Sequence, residues 1–272
     1  MSDYELAHAY ETVNVHRRGG AARIELNRPD RMNAWNAPLA RDLRGAVDAQ
    51  AVDDEVRAVL ITGAGRAFSS GADMRDLAGS GTNASGHIDV HTVLTERYHP
   101  IITGIREMPK PVVCAINGGA VGIGCSLALA CDLILAAESA YLLLAFVNIG
   151  LVADGGSSMF VPTRAGATRA AEMAMLGERI PAGKAADWGL VNRVVPDEQL
   201  ATEAQALTLR LAAGPTRSYA GTKRQLNAWL YGRMHEQLRL EADIQQEMAA
   251  TADVVEGATA FAQKRTPQFR GT

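Results

Sequence analysis

The sequence predicts an α/β fold in which a core domain, residues 1–195, is followed by a helical C-terminal region, residues 196–272. Two patterns carry the prediction. Up to residue 167 short apolar runs alternate with helical periodicities, and from residue 168 onward the pattern is mostly helical. With 272 residues, 47% of them hydrophobic and 21% charged, the chain is long enough to bury one sizeable core.

The elements follow in order. AARIELN (21–27) reads as a strand, NAPLARDLRGAVDAQAV (36–52) as a helix and RAVLITG (57–63) as a second strand. Asn36 is placed to cap that helix, Pro38 sits in its first turn, and Leu39, Leu43, Ala46 and Val47 form one apolar stripe. GSGTNASGH (79–87) is small and polar, a composition that favours a mobile loop. KPVVCAIN (110–117) and CDLILAA (131–137) are unbroken aliphatic runs, the pattern of strands buried on both faces. Between them GGAVGIG opens into the helical SLALA. TRAAEMAML and PAGKAADWG then read as helices, with Met173 and Met175 as core filler. Three longer helical segments run from about residue 197 to the end, punctuated by Gly214 and Pro215.

Composition narrows the function classes. A net charge of -3, with Lys and Arg spread along the chain, gives no electrostatic footprint for nucleic acid or an acidic membrane. No apolar run reaches the ~18 residues a membrane span requires. The three cysteines, Cys114, Cys125 and Cys131, lie in apolar surroundings and read as buried thiols in a reducing compartment. The first residues carry acids and no apolar signal core, so a cytoplasmic protein is expected.

Two loops and one cluster invite chemistry. GGAVGIGCS (118–126) lacks the Lys-Ser/Thr of a phosphate loop and the third glycine of a dinucleotide fingerprint. Its glycines still let backbone approach a ligand, and amides at a helix start attract an oxyanion. GAGRAFSSGADMRDL (63–77) is a second small-residue loop after a buried strand, with no nucleophile elbow and no relay for Ser69 or Ser70. Either loop alone reads equally as a tight connection. Together they are suited to aim two backbone donors at one oxygen. His87, Asp89 and His91 form an HxDxH pattern with no third strong ligand nearby, and they read better as a solvated helix start than as a metal site.

Taken with LNRPDRMNAW (26–35), LITGAGRAFSSGADM (60–74), KPVVCAINGGAVGIGC (110–125), CDLILAAESA (131–140), IGLVADGG (149–156) and AFAQKRTPQF (260–269), these loops resemble the enoyl-CoA hydratase/isomerase (crotonase) superfamily. The similarity is most marked toward its 1,2-epoxyphenylacetyl-CoA isomerase-like branch, in LLAFVNIGLVADGG and KRTPQF. The resemblance implies a crotonase-like spiral of ββα units, closed by C-terminal helices that build a homotrimer or a dimer of trimers. It implies an acyl-CoA thioester as substrate and no separate cofactor, coenzyme A being part of the substrate. It places the amides of Ala72 and Ile123 as an oxyanion hole, each such donor being worth roughly 3 kcal/mol in a transition state. It also places Arg31, Met32 and Ala34, with Ala72, Asp73, Met74 and Arg75, near the adenine and pantetheine. Phe261 and Lys264 match positions that reach the coenzyme A of a neighbouring subunit, where a phosphate-bearing group wants cations.

The family's hydratases use two glutamates, and at the corresponding pocket positions this sequence has Ser126 and Phe146. Neither serves as a carboxylate base. Asp154, at the position where isomerase-like members carry their acid/base residue, is the carboxylate that remains. From the residues alone two roles are open to it: a turn or N-cap residue before Gly155 and Gly156, or a base whose pKa apolar neighbours such as Leu151, Val152 and Phe146 would raise. The resulting expectation is a double-bond or ring isomerase. The alternatives are an enoyl-CoA hydratase of fatty-acid or aromatic-acid degradation and a non-catalytic CoA-ester binding protein.

Overall fold

The computed structural model describes residues 4–79 and 81–272, with the placement of Ser80, inside the predicted 79–87 loop, outside that set. Strand β1 (Glu5–Ala9) pairs antiparallel with β2 (Val13–Arg18), and β2 with β3 (Ala21–Leu26). From β3 the sheet continues in parallel through β4 (Ala58–Gly63), β5 (Val112–Ile116), β7 (Leu133–Ala137) and β10 (Arg193–Val195). β6 (Gly119–Val121), β8 (Tyr141–Leu143) and β9 (Ile180–Pro181) form a second, smaller sheet. The register sets Ile24, Ile61, Cys114 and Ile134 side by side across the parallel strands, all of them buried. Aliphatic residues fill both faces of these strands because helices cover both sides, as the unbroken apolar runs predicted.

The helices are α1 (Ala37–Val52), α2 (Met74–Ala78), α3 (Val90–Thr92), α4 (His99–Glu107), α5 (Ile123–Ala130), α6 (Ser157–Ala165), α7 (Ala167–Leu176), α8 (Ala182–Asp187), α9 (Leu200–Ala212), α10 (Thr216–Leu230), α11 (Met234–Ala249) and α12 (Ala252–Gln263). A π-helical segment, Val93–Tyr98, joins α3 to α4. A unit of long strand, short strand and helix repeats as the chain advances, in β5–β6–α5 and β7–β8–α6. In the preceding turns isolated bridges stand in for the short strand: Trp35 pairs with Ala72, and Ser69 with Ala120. This is the expected spiral. Its turns stack so that each short strand lies beside the next, which brings loops of different turns together.

Local signals hold where they were specific. Asn36 caps α1, its Oδ1 accepting the Leu39 amide at 3.0 Å. Asp89 caps α3 through Thr92 and His91 lies within α3, paired with Asp243, so these two form the expected helix start, while His87 belongs to the loop before it, its amide held by Asn83. The three cysteines are buried thiols. Met173 is 1% exposed but Met175 is 74% exposed, a correction to reading both as core. Residues two apart on a helix point to different faces, so both cannot face one core. The very short β9 and β10 interrupt a stretch expected to be helical, and the last region has four helices among the described residues, not three, with Thr251 capping α12.

The C-terminal helices are fastened to the core by buried polar groups. Lys223 on α10 pairs with Asp132 at 2.8 Å and donates to the Ile105 carbonyl at 2.7 Å, while Arg106 holds the other oxygen of Asp132 at 3.1 Å. Among the described residues no helix is long and apolar enough to cross a membrane.

Candidate active site

Of the two predicted loops, the one over 63–77 is shaped by Asn33, a buried residue at φ 53°. Its Nδ2 donates to the carbonyls of Ala64 and Ala67 at 2.9 Å, and its Oδ1 accepts the Arg28 amide at 2.9 Å. The loop then runs beside Trp35. The Trp35 amide donates to Gly71 and the Asp73 amide to Trp35, so Ala72 between them turns its own N–H to the opposite side. The second loop leaves β6 through Gly122, at φ 52°, and α5 begins at Ile123. A first-turn amide has no acceptor inside its own helix. Among the described residues neither the Ala72 nor the Ile123 amide has a hydrogen-bond acceptor.

The two loops touch at their glycines. A Cβ on Gly71 would lie 3.0 Å from the Val121 carbonyl oxygen, and one on Gly122 would lie 3.9 Å from the Gly71 Cα. A side chain at Gly71 would press on the strand that the Ser69 and Val121 amides hold beside it, and one at Gly122 would be strained by its positive φ. Ala72 and Ile123 each follow directly on one of these glycines. The Phe146 ring stands nearby, with its Cζ 3.8 Å from where a Gly122 Cβ would be.

Asp154 lies on the segment between the 3-10 turn Ala145–Ile149 and α6. It is 5% exposed. Its main-chain carbonyl accepts from the Ser126 hydroxyl at 2.7 Å and the Ser157 hydroxyl at 2.8 Å. Ser126, expected as a pocket wall, therefore fastens this segment to α5. Gly155, at φ 62°, makes the approach possible: a Cβ there would meet Ile123 Cδ1 at 2.4 Å and Ser126 Cβ at 3.0 Å. Gly155→Ala is accordingly expected to cost ~1–3 kcal/mol, from positive φ and overpacking together, read as a lowered midpoint in thermal denaturation.

The Asp154 carboxyl has an uneven environment. Oδ2 accepts from Gln245 Nε2 at 2.8 Å, and Oδ1 is buried without a partner among the described residues. Burial pushes its pKa from 3.8 up to about 8; the Gln245 bond pulls the other way and the Glu241 charge adds to the rise. Glu241 is itself pushed up to about 7 by burial, but its oxygens are occupied by the Gly156 amide at 2.8 Å and by the Ser158 amide and hydroxyl. Tyr98 also faces the carboxylate, which helps burial to hold its phenol well above the usual range. Its ring packs edge-on against Trp35.

The residues assigned to coenzyme A fall into two groups. Arg31, Met32 and Ala34 lie beside the strip Ala72–Arg75, joined by the Trp35–Ala72 bridge and by the Ser70 amide donating to the Met32 carbonyl at 2.9 Å. Asp73 is taken up structurally: its side chain pairs with Arg28 at 3.3 Å and caps α2 through the Arg75 amide. Met74 and Arg75 open α2. Phe261 and Lys264 are exposed on and just after α12, which packs on the Ala145–Ile149 segment. Gln245, Glu241, Tyr98, Arg28 and Asn33 were not singled out in the sequence. A signal existed for the first two: they share the buried face of α11 with Leu238, Ala242 and Ala249, and a polar residue on an apolar stripe asks for a partner.

The family model for Enoyl-CoA hydratase/isomerase matches residues 16–272. A probable enoyl-CoA hydratase of Rhodobacter capsulatus is 40% identical over 263 residues, 97% of this chain and 99% of that one. A 1,2-epoxyphenylacetyl-CoA isomerase of Escherichia coli is 38% identical over 261 residues, covering 96% of this chain and 99% of its own. The crystal structure of an enoyl-CoA hydratase from Mycobacterium avium subsp. paratuberculosis superposes with a TM-score of 0.87 at 37% identity, over 96% of this chain and 100% of the other.

Proposed function

The chain belongs to the enoyl-CoA hydratase/isomerase family, and from that premise we propose that it is an enoyl-CoA isomerase with Asp154 as its single acid/base group. The observation that carries the reading is one buried carboxyl with one unpartnered oxygen, on a segment packed against the helix whose first amide is also unpartnered. In the proposed reaction the thioester oxygen lies between the Ala72 and Ile123 amides. The C2–H bond of a 3-enoyl-CoA breaks, its proton goes to Asp154 Oδ1, and the electron pair moves into a dienolate whose charge rests on the thioester oxygen. The Oδ1–H bond then breaks as a C4–H bond forms, leaving the conjugated 2-enoyl-CoA and an unchanged Asp154. No water enters the balance. A buried carboxyl with a raised pKa is a stronger base once ionised than an ordinary one.

A hydratase reading is favoured by the name of the Rhodobacter capsulatus relative. Hydration requires a second group to handle water, and the neighbouring candidates are engaged: Ser126 on the Asp154 carbonyl, Glu241 on the amides of residues 156 and 158. The test is a panel of 3-enoyl, 2-enoyl and cyclic acyl-CoAs in D2O, followed by mass spectrometry. The expected result is positional isomers, with deuterium at the shifted carbons only to the extent that the Asp154 proton exchanges with solvent between the two transfers. Hydroxyacyl-CoA formed at a comparable rate, and surviving Asp154→Ala, would overturn the proposal. CoA-ester binding with no isomer and no hydroxyacyl-CoA from any substrate would point instead to a binding protein. We extend the reading to Arg31, Met32, Ala34, Asp73, Met74 and Arg75 as the coenzyme A strip, and to Phe261 and Lys264 as contacts across a homotrimer or dimer of trimers.

A further inference from the structure

We propose that Gln245 is a positioning residue, which holds Asp154 by Oδ2 and thereby makes Oδ1 the one oxygen through which the proton passes; this rests on the isomerase reading of Asp154. The amide orientation of Gln245 is not free. Its Oε1 accepts from the Val152 main-chain amide at 3.0 Å, and a backbone N–H can only donate. The nitrogen is therefore the end turned to Asp154 Oδ2, at 2.8 Å, and it too can only donate. Because Nε2 cannot accept, a proton on Oδ2 would meet a donor. The proton of the neutral acid sits on Oδ1, which has no partner among the described residues.

The support behind Gln245 is rigid. It is 1% exposed, and one helical turn earlier on the same face of α11 Glu241 holds the amides of Gly156 and Ser158. Amides on both sides of Asp154, at residues 152, 156 and 158, thus hang from two side chains of one helix. The titratable groups facing Asp154 are Glu241 on α11 and Tyr98 on the π-helical segment. From α5 and α6 it meets Ser126 and Ser157, which do not titrate in this range and bond to its carbonyl, not its carboxylate. Gln245 is therefore the direct hydrogen-bond donor to the carboxylate among the described residues, and its bond favours the ionised form.

Two variants test this. Gln245→Met keeps length and removes both polar atoms; Gln245→Glu keeps the acceptor for Val152 while removing the permanent donor to Asp154. Turnover of the native enzyme should rise with pH toward about 8, where Asp154 ionises. In both variants that rise should move upward by about one unit, giving roughly tenfold lower kcat at pH 7 with KM within about twofold and recovery at higher pH. The carboxyl band of Asp154 in infrared difference spectra, assigned by its loss in Asp154→Asn, should titrate higher by the same amount. A pH-independent loss of kcat with an unmoved band would overturn the proposal. The infrared titration reads Gln245 whether or not Asp154 is the base. If the band moves while isomerisation in Asp154→Asn persists, the hold of Gln245 on Asp154 stands and the assignment of Asp154 as the base falls.

Discussion

Asp154→Asn is expected to lower kcat for the double-bond shift by about 10²–10⁴-fold while leaving the fold and the affinity for a CoA ester close to native. The amide is isosteric with the carboxyl. Its oxygen can take the Gln245 donor that Oδ2 now accepts, and the main-chain carbonyl of residue 154, which anchors Ser126 and Ser157, is untouched. What disappears is a group able to hold a proton. Loss should therefore fall on kcat in single-turnover assays, with KM little moved, since the thioester is proposed to be gripped by backbone donors on other loops. A variant that instead unfolds or fails to bind CoA esters would assign Asp154 to turn formation.

The same substitution is expected to stabilise the protein at alkaline pH. Burial raises the Asp154 pKa from 3.8 to about 8, so between those values the native state holds a proton that the unfolded chain has released. Stability then falls as pH rises through this window, and above about 8 the penalty of a buried charge is present in full. Asparagine removes the penalty. The gain should be on the order of a few kcal/mol at pH 8 to 9, roughly 5–10 °C in midpoint, and should vanish toward pH 4. Thermal melts of both proteins across that range would decide it. Curves that run parallel would mean Asp154 is not held neutral in the native state. A site that gives up stability to keep a base poised is the expected form of the trade-off between activity and stability.

Much of the scaffold was legible because its signals are local. Runs such as VVCAI and LILAA announce doubly buried strands, and Asn36 announces a helix start, without reference to anything distant. The paired glycine loops were legible as a pattern, but their contact through Gly71 and Val121 depends on stacked turns of the spiral. Asp154 stood out only because the resemblance left it as the remaining carboxylate. For Glu241 and Gln245 the sequence signalled only that each, on the apolar stripe of α11, needs a partner; which residues they hold, 85 and 91 positions away, was not legible. Ser126 was read as a pocket position, and its bond to the main-chain carbonyl of Asp154 was not foreseen, because it joins residues 28 positions apart. The reading of Met173 and Met175 together as core fails for a related reason, since helical phase has to be known before a face can be assigned.

The hold of α11 on the segment around Asp154 bears on how the chain comes to life during synthesis. Until Glu241 and Gln245 have left the ribosome, nothing in the preceding chain supplies the acceptors for the amides of Val152, Gly156 and Ser158 or the donor for Asp154. A nascent chain ending before α11 would hold the Asp154 segment by the Ser126 and Ser157 hydroxyls, with no donor on the carboxylate. The fixed setting of the carboxylate that the proposed chemistry relies on is thus a late acquisition, made only when the chain from residue 234 onward folds back. A truncation that spares every proposed catalytic atom but removes α11 would leave those atoms without the environment that makes them reactive.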